Sequence, residues 1–377
     1  MNKIKITDYI RPEVKCFEPY VAGRPVSQIK RELGLSKVVK LASNENPLGP
    51  SKYALKAIKE SARDSYFYPD GNAFALKQAI AAKFRIAPSQ IILGAGSDEI
   101  IELIAKTFFK PSDNIVVSQY AFIRYKMAGE LMGCKVITVP MKNYRHDVAA
   151  MFNAVTKKTK AVFIANPNNP TGTYNTAKEI EALLGRLSKK FGANAPLVVL
   201  DEAYYEYASV KPDYPQSIGY LSRYPNLVIT RTFSKIYGLA GLRIGYGFSS
   251  KEIAGFIDRV RPPFNINSAA QAAAVASLKD LEQVSKSARL VEQQKKYICG
   301  EFLKLGIEYI PSAGNFILMR SKPFTSSQLF NKLLRKGVIV RAMDEYKLPQ
   351  WVRVSIGLPS ENAFFLVKLK ELFIKGA

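Results

Sequence analysis

Histidine is almost absent from this sequence: His146 is the single one in 377 residues. A zinc site built from several histidines is therefore excluded within one chain. A Ser-His-Asp triad would have to use His146. That residue stands in the polar stretch Asn143-Tyr144-Arg145-His146-Asp147 and reads as a surface loop residue. Cysteine is nearly as scarce. Cys16, Cys134 and Cys299 are odd in number and far apart, so they supply neither a disulfide framework nor a metal-ligand spacing. No metal is expected, and a reducing cytoplasm is the simplest setting. Long apolar runs are missing too. None approaches the ~20 residues that span a bilayer. Met1-Asn2-Lys3-Ile4-Lys5 also lacks the apolar core of a signal peptide. Acidic residues are few beside basic ones, 31 against 55, for a net charge of +24. Such a charge admits nucleic-acid binding. The basic residues, however, are scattered over helical faces, as at 178–190, and interleaved with acids, with no basic tail or dense arginine tract. A charged surface and small anionic substrates account for the excess, with no nucleic acid and no membrane as partner.

What is present is a long alternation of elements. A chain of 377 residues suggests about two domains. Residues 1–35 read as an arm with several prolines and a short helix. Segments 54–62 and 73–84 carry helical periodicity. Short apolar runs at 91–93, 115–117, 135–139, 161–165, 197–200 and 227–230 read as buried strands between helices. Strands that alternate with helices imply an α/β fold whose mainly parallel sheet is covered on both faces. After Pro262-Pro263 come an alanine-rich segment and a charged helix over 280–305. Strands at 315–319, 338–340 and 351–356 then suggest a smaller α+β domain. The expected division is an arm at 1–35, a large domain at 36–270 and a small domain at 271–377.

The chemistry concentrates where strand-like runs end, which is where open α/β sheets bind ligands. Arg231-Thr232-Phe233-Ser234-Lys235 sets a lysine among hydroxyl groups, and Arg243 follows eight positions later. A lone lysine is usually an exposed loop residue. Here an amine stands beside an anion cradle, the pair that pyridoxal 5′-phosphate (PLP) requires. Lys235 would form the Schiff base, and Thr232, Ser234 and Arg243 would contact the phosphate, with Arg243 capable of bidentate bonds. Gly94-Ala95-Gly96-Ser97-Asp98-Glu99 offers small residues and a new helix N-terminus to an anion. Asn166-Pro167-Asn168-Asn169-Pro170-Thr171-Gly172 fixes its asparagines between prolines. Leu200-Asp201-Glu202-Ala203-Tyr204 places a carboxylate for a pyridinium nitrogen and a tyrosine for the ring oxygen.

Together these segments resemble the PLP-dependent enzymes of fold type I, in the class II branch of the aspartate aminotransferase superfamily. The resemblance covers nearly the whole chain. It implies Lys235 as the Schiff-base and proton-transfer residue, and Asp201 on the ring nitrogen. Tyr204 and Asn169 are implied on the ring hydroxyl, and Tyr120 stacked on the ring. Ser97, Asp98, Thr232, Ser234 and Arg243 are implied at the phosphate.

Further matches are similar to the histidinol-phosphate aminotransferase family. They are Leu41-Ala42-Ser43-Asn44-Glu45-Asn46-Pro47-Leu48-Gly49-Pro50, Tyr68-Pro69-Asp70-Gly71, Gly337-Val338-Ile339-Val340-Arg341 and Trp351-Val352-Arg353-Val354-Ser355-Ile356-Gly357. That resemblance implies a homodimer with shared active sites, in which Tyr68 reaches the neighbouring subunit's cofactor phosphate. Arg353 would take a substrate carboxylate. Arg341, with Tyr20 from the partner's arm, would meet a substrate phosphate, and Asn44 joins the substrate contacts. Tyr20-Val21-Ala22-Gly23-Arg24-Pro25 departs slightly from the family's Tyr-x-Pro-Gly-Lys pattern, at the part that selects substrate. The implied reaction is ping-pong transamination between histidinol phosphate and 2-oxoglutarate. An aromatic amino-acid aminotransferase is the nearest rival. A threonine-phosphate decarboxylase and a non-enzymatic regulator that keeps the fold are the others.

Overall fold

The computed structural model describes residues 5–15, 17, 19 and 25–373. Helix Val26–Leu33 ends the arm, closed by Gly34 in the left-handed region. Strand β1 (Val39–Lys40) follows. Then come β2 (Ile91–Gly94), β3 (Asn114–Ser118), β4 (Lys135–Val139), β5 (Thr159–Ala165), β6 (Leu197–Asp201), β7 (Leu227–Thr232) and β8 (Gly245–Phe248). Among the described residues, β2 to β8 form one seven-stranded sheet in the order β2-β8-β7-β6-β5-β3-β4. Its strands run parallel except β8, which is antiparallel to both β2 and β7.

Successive residues of a strand point to opposite faces. On β6, Val198 and Leu200 join one core cluster while Leu197 and Val199 join another. Both faces are therefore buried, which explains the unbroken apolar runs. Helix Ser97–Phe108 packs its Ile101 and Ile104 into the second cluster. Alanine-rich helix Ser268–Lys279 buries Ala270, Ala273 and Ala274 in the first.

The C-terminal part carries a second sheet. Strands β9 (Tyr309–Ile310), β10 (Phe316–Arg320), β11 (Val338–Ile339), β12 (Arg341–Ala342) and β13 (Trp351–Ser355) follow the long helix Leu281–Lys304. Four of them form an antiparallel sheet in the order β12-β13-β10-β9. The single strand expected at 338–340 is divided: β11 pairs in parallel with β1, and β12 turns to pair with β13. Strand β8 was not foreseen, because Gly245-Tyr246-Gly247-Phe248 holds two glycines, which strands disfavour. Here glycine is required. A Cβ on Gly245 would stand 2.3 Å from the Ser97 nitrogen. Among the described residues, no helix is long and apolar enough to cross a membrane.

Candidate active site

Parallel strands deliver their carboxyl ends to one edge of the sheet. Along that edge Ala165 stands beside Asp201, Asp201 beside Thr230, and Thr232 beside Gly245. The reversed β8 begins where its neighbours end, so Arg243, two residues before it, arrives at the same edge as Ser97 and Thr232. A cavity of about 510 Å³ opens there. Ser97, Asp98, Asn169, Asp201, Tyr204, Thr232, Ser234, Lys235 and Arg243 all line it, nine of the residues singled out from the sequence. A smaller cavity of about 190 Å³ shares Asn169, Tyr204 and Lys235 and extends to Asn44, Arg341 and Arg353. The two form one site with Lys235 at the junction.

Lys235 is part-buried, with its Nζ donating to the Ser43 carbonyl at 3.1 Å. Burial lowers its pKa to about 8, aided by the nearby charges of Arg353 and Arg243. The neutral amine, the nucleophilic form, is thereby accessible near neutral pH.

Asp201 is buried, and burial pushes its carboxyl up. A bond from the Tyr125 hydroxyl at 2.5 Å and one from the Ala203 N–H pull it back toward the ionised form. The Tyr204 hydroxyl accepts from Asn44 Nδ2 at 2.8 Å. Asn44 adopts a left-handed backbone, φ 56°, and its side-chain oxygen accepts from Ser355 Oγ at 2.9 Å. Asn44 was expected among substrate contacts. It does line the smaller cavity, but its amide is spent on Tyr204 and Ser355.

At the other end, Gly96 precedes helix Ser97–Phe108 without any side-chain cap. A Cβ on Gly96 would stand 2.5 Å from Arg243 Nη2. The glycine therefore leaves the guanidinium room against the helix N-terminus. This donor set of a helix N-terminus, two hydroxyls and an arginine suits a phosphate. A part-buried amine and a carboxylate farther along the same cavity suit a pyridine aldehyde. The residues present fit PLP.

Arg353 is buried. Its Nη1 donates to Asn169 Oδ1 at 2.5 Å and its Nη2 to the Ala42 carbonyl at 2.6 Å. Its Nε is buried with no hydrogen-bond partner among the described residues, a state that calls for an acceptor from outside the chain.

Two expectations change. His146 is not on the surface: it is 3% exposed. Its Nε2 donates to the Ala165 carbonyl at 2.9 Å and its Nδ1 lies 2.6 Å from Ser118 Oγ. The surrounding polar sequence hid a tertiary hydrogen-bond site. Tyr120 is not among the cavity's lining residues. It packs beside Tyr144, and Phe122 lines both cavities instead. Tyr68, expected at the neighbouring subunit's cofactor, lies outside the cavity of its own chain. It is 82% exposed and stacked on Phe264. Tyr20 lies outside the described residues.

Sequence reasoning missed Tyr125 and Arg124. Tyr125 bonds Asp201 from the helix Ile123–Leu131 that follows β3, and Arg124, beside it on that helix, bridges Asp98 at 2.7 Å and also pairs with Glu102. Neither carries a local signal, because each meets its partner only through the sheet order.

The family model for aminotransferase class I and II matches residues 36–368. The histidinol-phosphate aminotransferase 1 of Nitrosococcus oceani is 47% identical over 357 residues, covering 95% of each chain. Among solved structures, the histidinol-phosphate aminotransferase of Sinorhizobium meliloti, in complex with pyridoxal-5′-phosphate, superposes with a TM-score of 0.88. Its identity is 28%, and 98% of both chains is covered. The Thermus thermophilus aspartate aminotransferase with maleate, 19% identical over 96% of this chain and 99% of its own, shares the fold with a TM-score of 0.82. The chain belongs to the class I and II aminotransferases, PLP-dependent transaminases of fold type I, and within them to the histidinol-phosphate aminotransferase family.

Proposed function

We propose that this chain transfers an amino group between histidinol phosphate and 2-oxoglutarate, giving imidazole-acetol phosphate and glutamate, as a step of histidine biosynthesis. The observation that carries the reading is the pairing of Arg341 with Arg353 across β12 and β13, at the end of a cavity whose junction holds Lys235. Such a site meets one substrate bearing a phosphate and another bearing a carboxylate.

Arg243, Thr232, Ser234 and the helix beginning at Ser97 would hold the phosphate of PLP. Lys235 would hold it through its aldehyde. When bound, PLP supplies an electron sink for negative charge on the substrate's reacting carbon. Asp201 would keep the ring nitrogen protonated, and Tyr125 orients that carboxylate. Tyr204, aligned by Asn44, and Asn169 would hold the ring oxygen, and Phe122 would take against the ring the place expected for Tyr120. Lys235 Nζ would be the base that moves the proton at the substrate carbon. The orphaned Nε of Arg353 supports its role as carboxylate seat. Arg341 takes the substrate phosphate. A cytoplasmic homodimer completes the site. The exposure of Tyr68, with exposed Tyr66, Phe67 and Phe74 nearby in sequence, supports a partner subunit that receives it.

The test is steady-state amino transfer from histidinol phosphate, phenylalanine and tyrosine to 2-oxoglutarate. The highest kcat/KM is expected for histidinol phosphate. Transfer from the aromatic amino acids with none from histidinol phosphate would move the assignment to an aromatic aminotransferase.

A further inference from the structure

The substrate end of the cavity sets two like charges against each other. Arg341 and Arg353 are direct cross-strand partners, so their Cβ atoms stand roughly 5 Å apart on one face of the sheet. The two guanidinium groups are balanced differently. Arg353 is held by neutral oxygens. Arg341 is held by a carboxylate: its Nη2 lies 2.7 and 2.8 Å from the two oxygens of Glu345, and its Nε 3.1 Å from one of them. The side chains of Arg341 and Glu345 are only 19% and 25% exposed, and both line the cavity that reaches Lys235. Glu345 sits in the short turn Asp344–Tyr346, four residues after Arg341.

We propose that Glu345 is an internal counter-ion of Arg341. It holds the seat of the substrate's distal anion and gives it up when that anion binds. The proposal rests on the reading of Arg341 as the phosphate contact. A guanidinium fork takes a carboxylate and a phosphate in the same bidentate manner. A phosphomonoester carries a charge of about −1.5 to −2 at pH 7 and so displaces a single carboxylate. A neutral side chain does not. With a donor such as phenylalanine, Arg341 keeps Glu345, and no unpaired cation is left facing apolar atoms. Glu345 therefore determines specificity. It weakens the hold on phosphate-bearing substrates and lets neutral donors enter.

Four holoenzymes decide the matter: the natural chain, Glu345→Gln, Arg341→Gln and the double variant. In the holoenzyme the cofactor's own phosphate seat is filled, so added inorganic phosphate reports on the substrate end. Glu345→Gln is expected to lower the Kd for inorganic phosphate, read by calorimetry, about tenfold, the scale of one charge-assisted hydrogen bond. It is expected to raise the ratio of kcat/KM for histidinol phosphate over phenylalanine by a similar factor, improving the first and impairing the second. In the Arg341→Gln background the same change is expected to do neither. If Glu345→Gln does not fold, Glu345→Asp keeps the charge, shortens the reach and shifts the ratio in the same direction by less.

An unchanged phosphate Kd and an unchanged ratio overturn the proposal. So does an equal loss with both substrates accompanied by a lower Tm, which marks a structural brace. If either occurs while Arg341→Gln still weakens histidinol phosphate, the role of Arg341 stands and only the counter-ion falls. If Arg341→Gln leaves the KM for histidinol phosphate unchanged, the reading beneath the proposal fails and the proposal with it.

Discussion

His146 is the one histidine of the chain, so its titration can be read without ambiguity. Its ring lies between β3 and β5, bonded to Ser118 Oγ and to the Ala165 carbonyl. A carbonyl oxygen only accepts, so Nε2 carries the proton and Nδ1 accepts from Ser118. Burial lowers the imidazole pKa from 6.5 to about 4, opposed only in part by the Ala165 bond. The unfolded chain therefore binds a proton between pH 6.5 and 4 that the folded chain refuses. Stability must rise with pH across that window and fall on acidification through it. The gap between 6.5 and about 4 corresponds to about 3 kcal/mol lost between pH 7 and pH 4. Carboxylates titrate in the same range, so the assay is a difference. Denaturant unfolding of the natural chain and of His146→Asn is measured from pH 7 to pH 4. The variant is less stable at pH 7, where it lacks one or both bonds. The gap is expected to close by about 3 kcal/mol as pH falls. In parallel, the single imidazole resonance should not titrate near pH 6.5 in the folded protein. A gap that stays constant with pH, or a resonance that titrates at 6.5, would refute the buried neutral histidine.

Two further predictions follow from the site. Gly96→Ala places a Cβ against Arg243 Nη2 at a φ of +89°. Strain of about 1–3 kcal/mol there should weaken PLP binding by the apoprotein about tenfold in a cofactor titration, and unaltered affinity would remove Gly96 from the phosphate seat. Arg353→Lys loses the fork that joins Asn169, Ala42 and an incoming carboxylate. The KM for 2-oxoglutarate is expected to rise at least about tenfold; an unchanged value would take Arg353 out of the carboxylate seat.

The residues that the sequence revealed are those whose chemistry sits at a strand end. Asp201 closes the apolar run of β6, and Lys235 stands three residues beyond β7, so alternating elements and the strand-end rule together locate them. What stayed hidden depends on contacts between distant segments. Asn44 meets Ser355 across 311 positions to aim Tyr204. Tyr125 and His146 are polar groups satisfied by other strands, and nothing beside them in sequence reports it. The register that puts Arg341 beside Arg353 follows from the split between β11 and β12, which an apolar run at 338–340 does not display. Phe122 and Tyr120 are two residues apart on one turn, and the choice between them is made by packing around Tyr144 and Trp351.

The central claim is that Lys235 holds PLP at a site where histidinol phosphate gives up its amino group. The direct measurement is the visible absorption of the holoenzyme during titration with histidinol phosphate, with no acceptor present. The account predicts that the band of lysine-bound cofactor falls as the band of aminated cofactor rises, and that 2-oxoglutarate restores the first. Lys235→Ala should keep the far-ultraviolet dichroism of the fold and show no such cycle. A lysine-bound band that ignores histidinol phosphate and answers only phenylalanine or tyrosine would contradict the substrate, and a cycle that survives in Lys235→Ala would contradict the lysine.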